Sequence, residues 1–85
     1  MNKVKDKKVI YLTYQLIKEK CEIEDQQYTS FGILLTSVSG DEIIDIAAFK
    51  DLTTIKEKAI KFLRILSQNQ VKPYEAYEFV EDFLA

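Results

Sequence analysis

The sequence predicts an α+β domain: a three-stranded antiparallel β-meander with two C-terminal helices packed on one face, β-β-β-α-α. Three observations predict it. Residues 9–18, 28–38 and 42–49 each alternate between two faces with period two, and they are rich in β-branched and aromatic side chains. Short polar stretches separate them. After residue 53 the apolar spacing changes to the three- and four-residue steps of a helix. Eighty-five residues, 47% hydrophobic and 31% charged, suit one globular domain with a modest core. A three-stranded sheet needs its apolar face covered, and the two helices are the natural cover.

The elements follow in order. Residues 1–8 form a flexible basic arm carrying Lys3, Lys5, Lys7 and Lys8, set before a single domain of residues 9–85. In the first strand Ile10, Leu12, Tyr14 and Leu16 share the core face, opposite Val9, Tyr11, Thr13, Gln15 and Ile17. The polar cluster 22–27 predicts a turn, with Ile23 a lone apolar residue inside it. Residues 28–38 give the strongest strand, and the meander places it in the middle. Phe31, Ile33 and Leu35 point inward, and Ser30, Gly32, Leu34 and Thr36 outward. A glycine in mid-strand marks a bulge or a close approach of neighbouring backbone. Ser39, Gly40 and Asp41 predict a tight turn. In the third strand the cost of burying Asp45 argues that Ile44, Ile46 and Ala48 face the core.

For the first helix, Thr54 with Glu57 fits a capping box, with Asp51 and Thr53 as other caps. Ile55, Ala59, Phe62, Leu63 and Leu66 lie on one face. Asn69 is expected to take the left-handed conformation that closes many helices. Pro73 suits the first turn of the second helix. There Ala76, Tyr77, Phe79, Val80, Phe83 and Leu84 are apolar, while Glu75, Glu78, Glu81 and Asp82 form an acidic face.

Tyr28 with Phe31-Gly32-Ile33, Asp45-Ile46, Val71 with Pro73, and the ending Val80-Glu81-Asp82-Phe83-Leu84 carry a likeness. With these motifs the chain resembles a family of small proteins of clostridia and related spore-forming Gram-positive bacteria, catalogued as a domain of unknown function. The resemblance spans most of the chain beyond the arm and implies no activity, cofactor or partner.

Composition bounds the chemistry. Net charge is −2, in blocks of alternating sign. Residues 1–20 and 56–72 each sum to +4, residues 21–55 to −6 and residues 73–85 to −4. The blocks are expected to neutralise one another in the fold, which leaves no long-range pull on nucleic acid. A single Cys excludes a disulfide scaffold, and the lysines at the start lead into no apolar signal segment. The expected compartment is cytoplasmic. No run approaches the roughly 20 apolar residues of a membrane span. The chain has no His, the commonest general base and metal ligand, and two glycines build no phosphate loop. Glu22 and Glu24 next to Cys21 disfavour a thiolate, partly opposed by Lys20. The expectation is a non-enzyme with no catalytic, cofactor or metal residue.

Two surfaces remain. The sheet face away from the helices is expected to carry Tyr11, Thr13, Gln15, Ser30, Gly32, Leu34, Ile43, Asp45 and Ala47. It is too apolar for plain solvent and too polar for a core, as a contact patch for a protein partner or a second copy is. Tyr11, Gly32, Leu34, Ile43 and Asp45 are its candidate residues. Glu81 and Asp82 at the end of the last helix are expected to have their repulsion offset by Lys56 and Lys58 or by the lysines of the basic arm; the competing reading makes Glu78, Glu81 and Asp82 a candidate acidic docking tip. The favoured reading is a protein-interaction or regulatory module. The rivals are a metal-binding protein or enzyme built on the same carboxylates, and a nucleic-acid accessory protein using the arm with Lys58, Lys61 and Arg64.

Overall fold

A computed structural model describes residues 9–85, and the arm expected at residues 1–8 lies outside them. The elements are β1 (Ile10–Ile23), β2 (Gln26–Ser39), β3 (Glu42–Thr53), α1 (Lys56–Gln68), a 3-10 turn (Pro73–Glu75) and α2 (Ala76–Leu84). The strands form one antiparallel sheet in the order β1-β2-β3, and the helices follow, so the β-β-β-α-α arrangement stands.

The strands outrun their predicted lengths. β1 and β2 have 14 residues each and pair without a register shift from Ile10↔Ser39 to Ile23↔Gln26. At about 3.3 Å per residue that hairpin is roughly 46 Å long. The turn expected over residues 22–27 shrinks to Glu24 and Asp25, with φ of 49° and 68°. Two positive φ values are what a two-residue type I′ turn requires. Polar residues such as Lys20 and Glu22 do not stop the strand, because cross-strand partners Thr29 and Gln27 are there to pair with. Ile23 closes β1 with its side chain exposed. The Gly40-Asp41 turn is as expected, with Gly40 at φ 61°, the first central position of a type II′ turn.

Cross-strand partners share a face, so register decides what points inward. Leu35 faces Tyr14 on β1 and Ala47 on β3, and Ile33 faces Leu16 and Phe49. This layer meets the helices: Ile33 and Leu35 are fully buried with Phe62, Leu66, Val71, Ala76 and Val80. The inward set predicted for β3 is therefore inverted. Ala47 is buried and Phe49 packs on the core, while Ile44 and Ile46 are more than half exposed and Ala48 is exposed. The argument from Asp45 failed because this residue sits at the rim, half-buried. Its carboxylate accepts the Ile46 N–H at 2.9 Å.

Two irregularities shape β3. Between Ser37↔Asp45 and Val38↔Ile43 the register shifts and leaves Ile44 as an extra residue. Between Phe31↔Thr53 and Ile33↔Phe49, three residues of β3 oppose Gly32 alone, and Asp51 takes φ 56°. A Cβ on Gly32 would lie 2.1 Å from the Phe49 carbonyl oxygen and 2.8 Å from Lys50 Cα. The glycine is thus a site of close backbone approach, one of the two readings its mid-strand position suggested.

The capping box expected at Thr54 is absent. The Thr53 hydroxyl accepts the Ile55 N–H at 3.1 Å, α1 starts at Lys56, and Glu57 sits one position too early to reach back. Its buried stripe is Ala59, Phe62 and Leu66, with Ile55 exposed. The left-handed residue at its end is Gln70 (φ 50°), not Asn69 (φ −93°). Gln70 N–H donates to the Ser67 carbonyl and Val71 N–H to the Leu66 carbonyl, both at 3.0 Å. This is a Schellman closure, and its apolar contact is made by Leu66 and Val71, both in the core. Asn69 serves instead by donating its side-chain amide to the Ile65 carbonyl at 2.7 Å. Pro73 is buried at the start of the 3-10 turn, where Lys72 N–H donates to Glu75 Oε1 at 3.0 Å. In α2, Phe83 stacks on Phe62 with ring centres 4.5 Å apart. Tyr77 meets Phe49 edge-on at 5.0 Å. Among the described residues no helix is long and apolar enough to cross a membrane.

Candidate interaction surface

The helices cover one face of the sheet, so the even-numbered side chains of β2 turn to the other. Register extends that face across the strands in rows. Tyr11, Val38 and Ile43 form one row; Thr13, Thr36 and Ile46 the next. Gln15, Leu34 and Ala48 form the third, and Ile17 with Gly32 the fourth. None of these side chains is charged, in a chain that is 31% charged. Tyr11, Ile43 and Ile46 are 62%, 63% and 56% exposed, while Leu34 and Val38 are half-buried by their neighbours. The result is a neutral, largely apolar plate.

Three of the five expected contact residues, Tyr11, Leu34 and Ile43, lie open on this plate; Gly32 is on the same face but buried under the Phe49–Lys50 backbone. Asp45 is off the plate: it pairs with Ser37 on the helix side and lines a cleft of about 410 Å³ with Ile10, Ile44, Lys72, Pro73 and Tyr74. Ala47, expected outward with Asp45, is buried under the helices. Ser30 shares the open face with Gly32 but is only 1% exposed, and its hydroxyl has no hydrogen-bond partner among the described residues. Ile46 was missed. Its alternation with Asp45 put it in the core, and only the register with Thr36 turns it out.

The plate ends at a polar rim built by the kink of β3. Glu19, opposite Ser30 on β1, reaches Lys50 on β3 at 3.8 Å, so this ion pair spans β2 above Ser30. The Tyr28 hydroxyl donates to Asp51 Oδ2 at 3.4 Å, and Cys21 stands opposite Tyr28. The Cys21 thiol, loss of water and the Asp51 charge together push the Tyr28 phenol above its ordinary range. Glu19–Lys50 is the one ion pair within 4 Å among the described residues. Each partner carries the minority sign of its block, so among the described residues the blocks do not neutralise by close pairing.

Glu78, Glu81 and Asp82 are exposed on α2. Lys58 lines a cleft with Phe83 and Leu84, so the start of α1 does lie beside the end of α2. Among the described residues no Lys there comes within 4 Å of these carboxylates, and no three metal-ligating side chains gather. Cys21 is a half-buried free thiol.

One family model, that of a family of unknown function (DUF6514), matches residues 1–85. No curated protein and no solved structure matches the chain.

Proposed function

We propose that this chain, which belongs to the DUF6514 family of unknown function, is a non-enzymatic protein-contact module whose working surface is the open face of its sheet. One observation carries the reading: the four uncharged rows around Leu34 and Thr36, with Tyr11, Ile43 and Ile46 more than half exposed. A face that only met water has no reason to exclude charge, since isolated lysines and glutamates on a sheet cost little and aid solubility. Contiguous exposed apolar surface of this kind marks an interaction site. The kink over Gly32 supports the same reading. It holds Lys50 and Asp51 at the end of the plate, where they form a rim. Polar rim around apolar centre is the ordinary anatomy of a protein contact. The carboxylates of α2 support a rival metal or catalytic role less well, because they stand apart on an exposed helix face.

Crosslinking in the native cell tests the reading. Ile46→Lys places a charge in the middle of the plate, and Ile65→Lys places one on exposed α1 as a control. The expected result is that the wild-type crosslinks vanish with Ile46→Lys and persist with Ile65→Lys. An Ile46→Lys chain that keeps every crosslink and its melting temperature rules the reading out.

A further inference from the structure

The plate has a shape as well as a polarity. Its proximal row ends in the two most protruding side chains, Tyr11 and Ile43. Its third row ends in the small Ala48, and in the fourth the Phe49–Lys50 backbone of β3 lies over Gly32. Protruding side chains in the first row and the small Ala48 in the third fit a copy of the same plate turned end for end. A two-fold axis in the interface, perpendicular to the strands and through the Thr13–Thr36–Ile46 row, makes that turn. It lays the row of Tyr11, Val38 and Ile43 over the row of Gln15, Leu34 and Ala48 of the second copy. Ile43 then stands over Ala48, and Val38 over Leu34. A two-fold axis along the strands instead sets Tyr11 against Ile43 twice, whereas the perpendicular axis leaves Tyr11 over Gln15 and Ile46 on its own copy.

Charge favours the same occupant. An acidic or basic partner finds no counter-charge on these rows, whereas a second copy brings no charge to be buried and no like charges together. Beyond the plate, Lys50 lies at the distal end and the acidic Asp41 and Glu42 at the proximal end. Turning one copy end for end brings each Lys50 towards the acidic turn of the other. We propose that the open sheet face is the interface of a homodimer, two sheets stacked with their strands reversed and the helices outside. The proposal rests on the contact-surface reading and names its occupant.

Area sets the strength. Three strands about 4.8 Å apart and four rows about 6.7 Å apart give a flat plate of roughly 14 by 26 Å. That is well under the roughly 800 Å² per partner of a standard interface, so the dimer is expected to be weak and to dissociate on dilution.

Sedimentation equilibrium from about 1 µM to 1 mM tests it. The expected result is a reversible monomer–dimer equilibrium that Ile46→Lys and Ile43→Lys each weaken at least tenfold, while Ile65→Lys leaves it unchanged. Circular dichroism checks that each variant is folded, which the exposure of all three side chains favours. A chain that stays monomeric to 1 mM overturns the homodimer but leaves the contact surface to be decided by the crosslinks. A dimer untouched by both plate variants overturns the homodimer interface, because association then runs through another surface. Lys50→Glu is expected to weaken the dimer less than the plate variants, and a stronger dimer in that variant rejects the reversed-strand arrangement.

Discussion

Single residues hold this fold at points where a side chain, or its absence, is required. Gly32 is one. The carbonyl of Phe49 occupies the place a Cβ needs, and a backbone group cannot swing aside as a side-chain tip can. Gly32→Ala is expected to cost about 3 kcal/mol or more, since β3 must shift bodily, and the urea midpoint reads the loss. Gln70 is the opposite case. Its φ of 50° is a glycine conformation held by a residue with a side chain, for the sake of the Schellman closure of α1. Gln70→Gly is expected to stabilise the chain by about 1 kcal/mol. A lowered melting temperature means that the Gln70 side chain contributes more than its backbone strain costs.

Between elements, the bond from Tyr14 on β1 to the Val71 carbonyl ties the sheet to the end of α1 at 2.9 Å. Burial, then the charge of Glu75, raises the Tyr14 phenol pKa above its ordinary range. The folded state thus holds the phenol proton more tightly than the unfolded chain. The stability this gives is fully present below about pH 10 and is lost as pH rises through the folded pKa. Tyr14→Phe is expected to cost about 1 kcal/mol at neutral pH. It should also flatten the fall of stability above pH 10, a fall to which Tyr28 contributes in the same sense. An equally steep alkaline fall in the variant shows that Tyr14 is not its source. The β1–β2 turn is a second case. Glu24 and Asp25 occupy positions where Asn-Gly is favoured. Replacing them by Asn and Gly is expected to add about 1 kcal/mol, and hydrogen exchange of the hairpin amides shows whether the gain is local.

At the scale of the molecule, length is the governing fact. A hairpin of roughly 46 Å meets a 13-residue helix of about 20 Å. The helices cannot cover it. β3 pairs β2 only up to Phe31, so the segment from Lys18 to Ser30 runs on as a two-stranded ribbon. The principal extents, 65 × 23 × 18 Å, show the same elongation. A chain this small and elongated leaves much surface wet, and association is a direct way to cover the apolar part. Anything that binds the folded state alone raises its apparent stability with concentration. The thermal midpoint is therefore expected to rise on going from 1 µM to 1 mM in the wild type and to stay level in Ile46→Lys. An equal rise in both disconnects the concentration effect from the plate.

Periodicity, turn residues and helical spacing by themselves determined the element order, the central place of β2, the inward set of β2 and, but for the exposed Ile10, of β1, the Gly40 turn and, but for the exposed Ile55, the stripe of α1. These features are local or nearly so: each follows from side-chain alternation or from the residues a turn can hold. Tertiary structure alone decided what depends on register. Asp45 looked outward because a buried carboxylate is costly, yet pairing with Ser37 sets it at the rim of the helix side, where half-exposure lowers that cost. That one assignment inverted β3, hid Ile46 from the expected contact face and put Ala47 on it. Gly32 announced a close approach but not what approached. The Phe49–Lys50 backbone arrives there because three residues of β3 oppose one of β2, and a bulge is fixed by the fit of two strands over a core rather than by the residues of either.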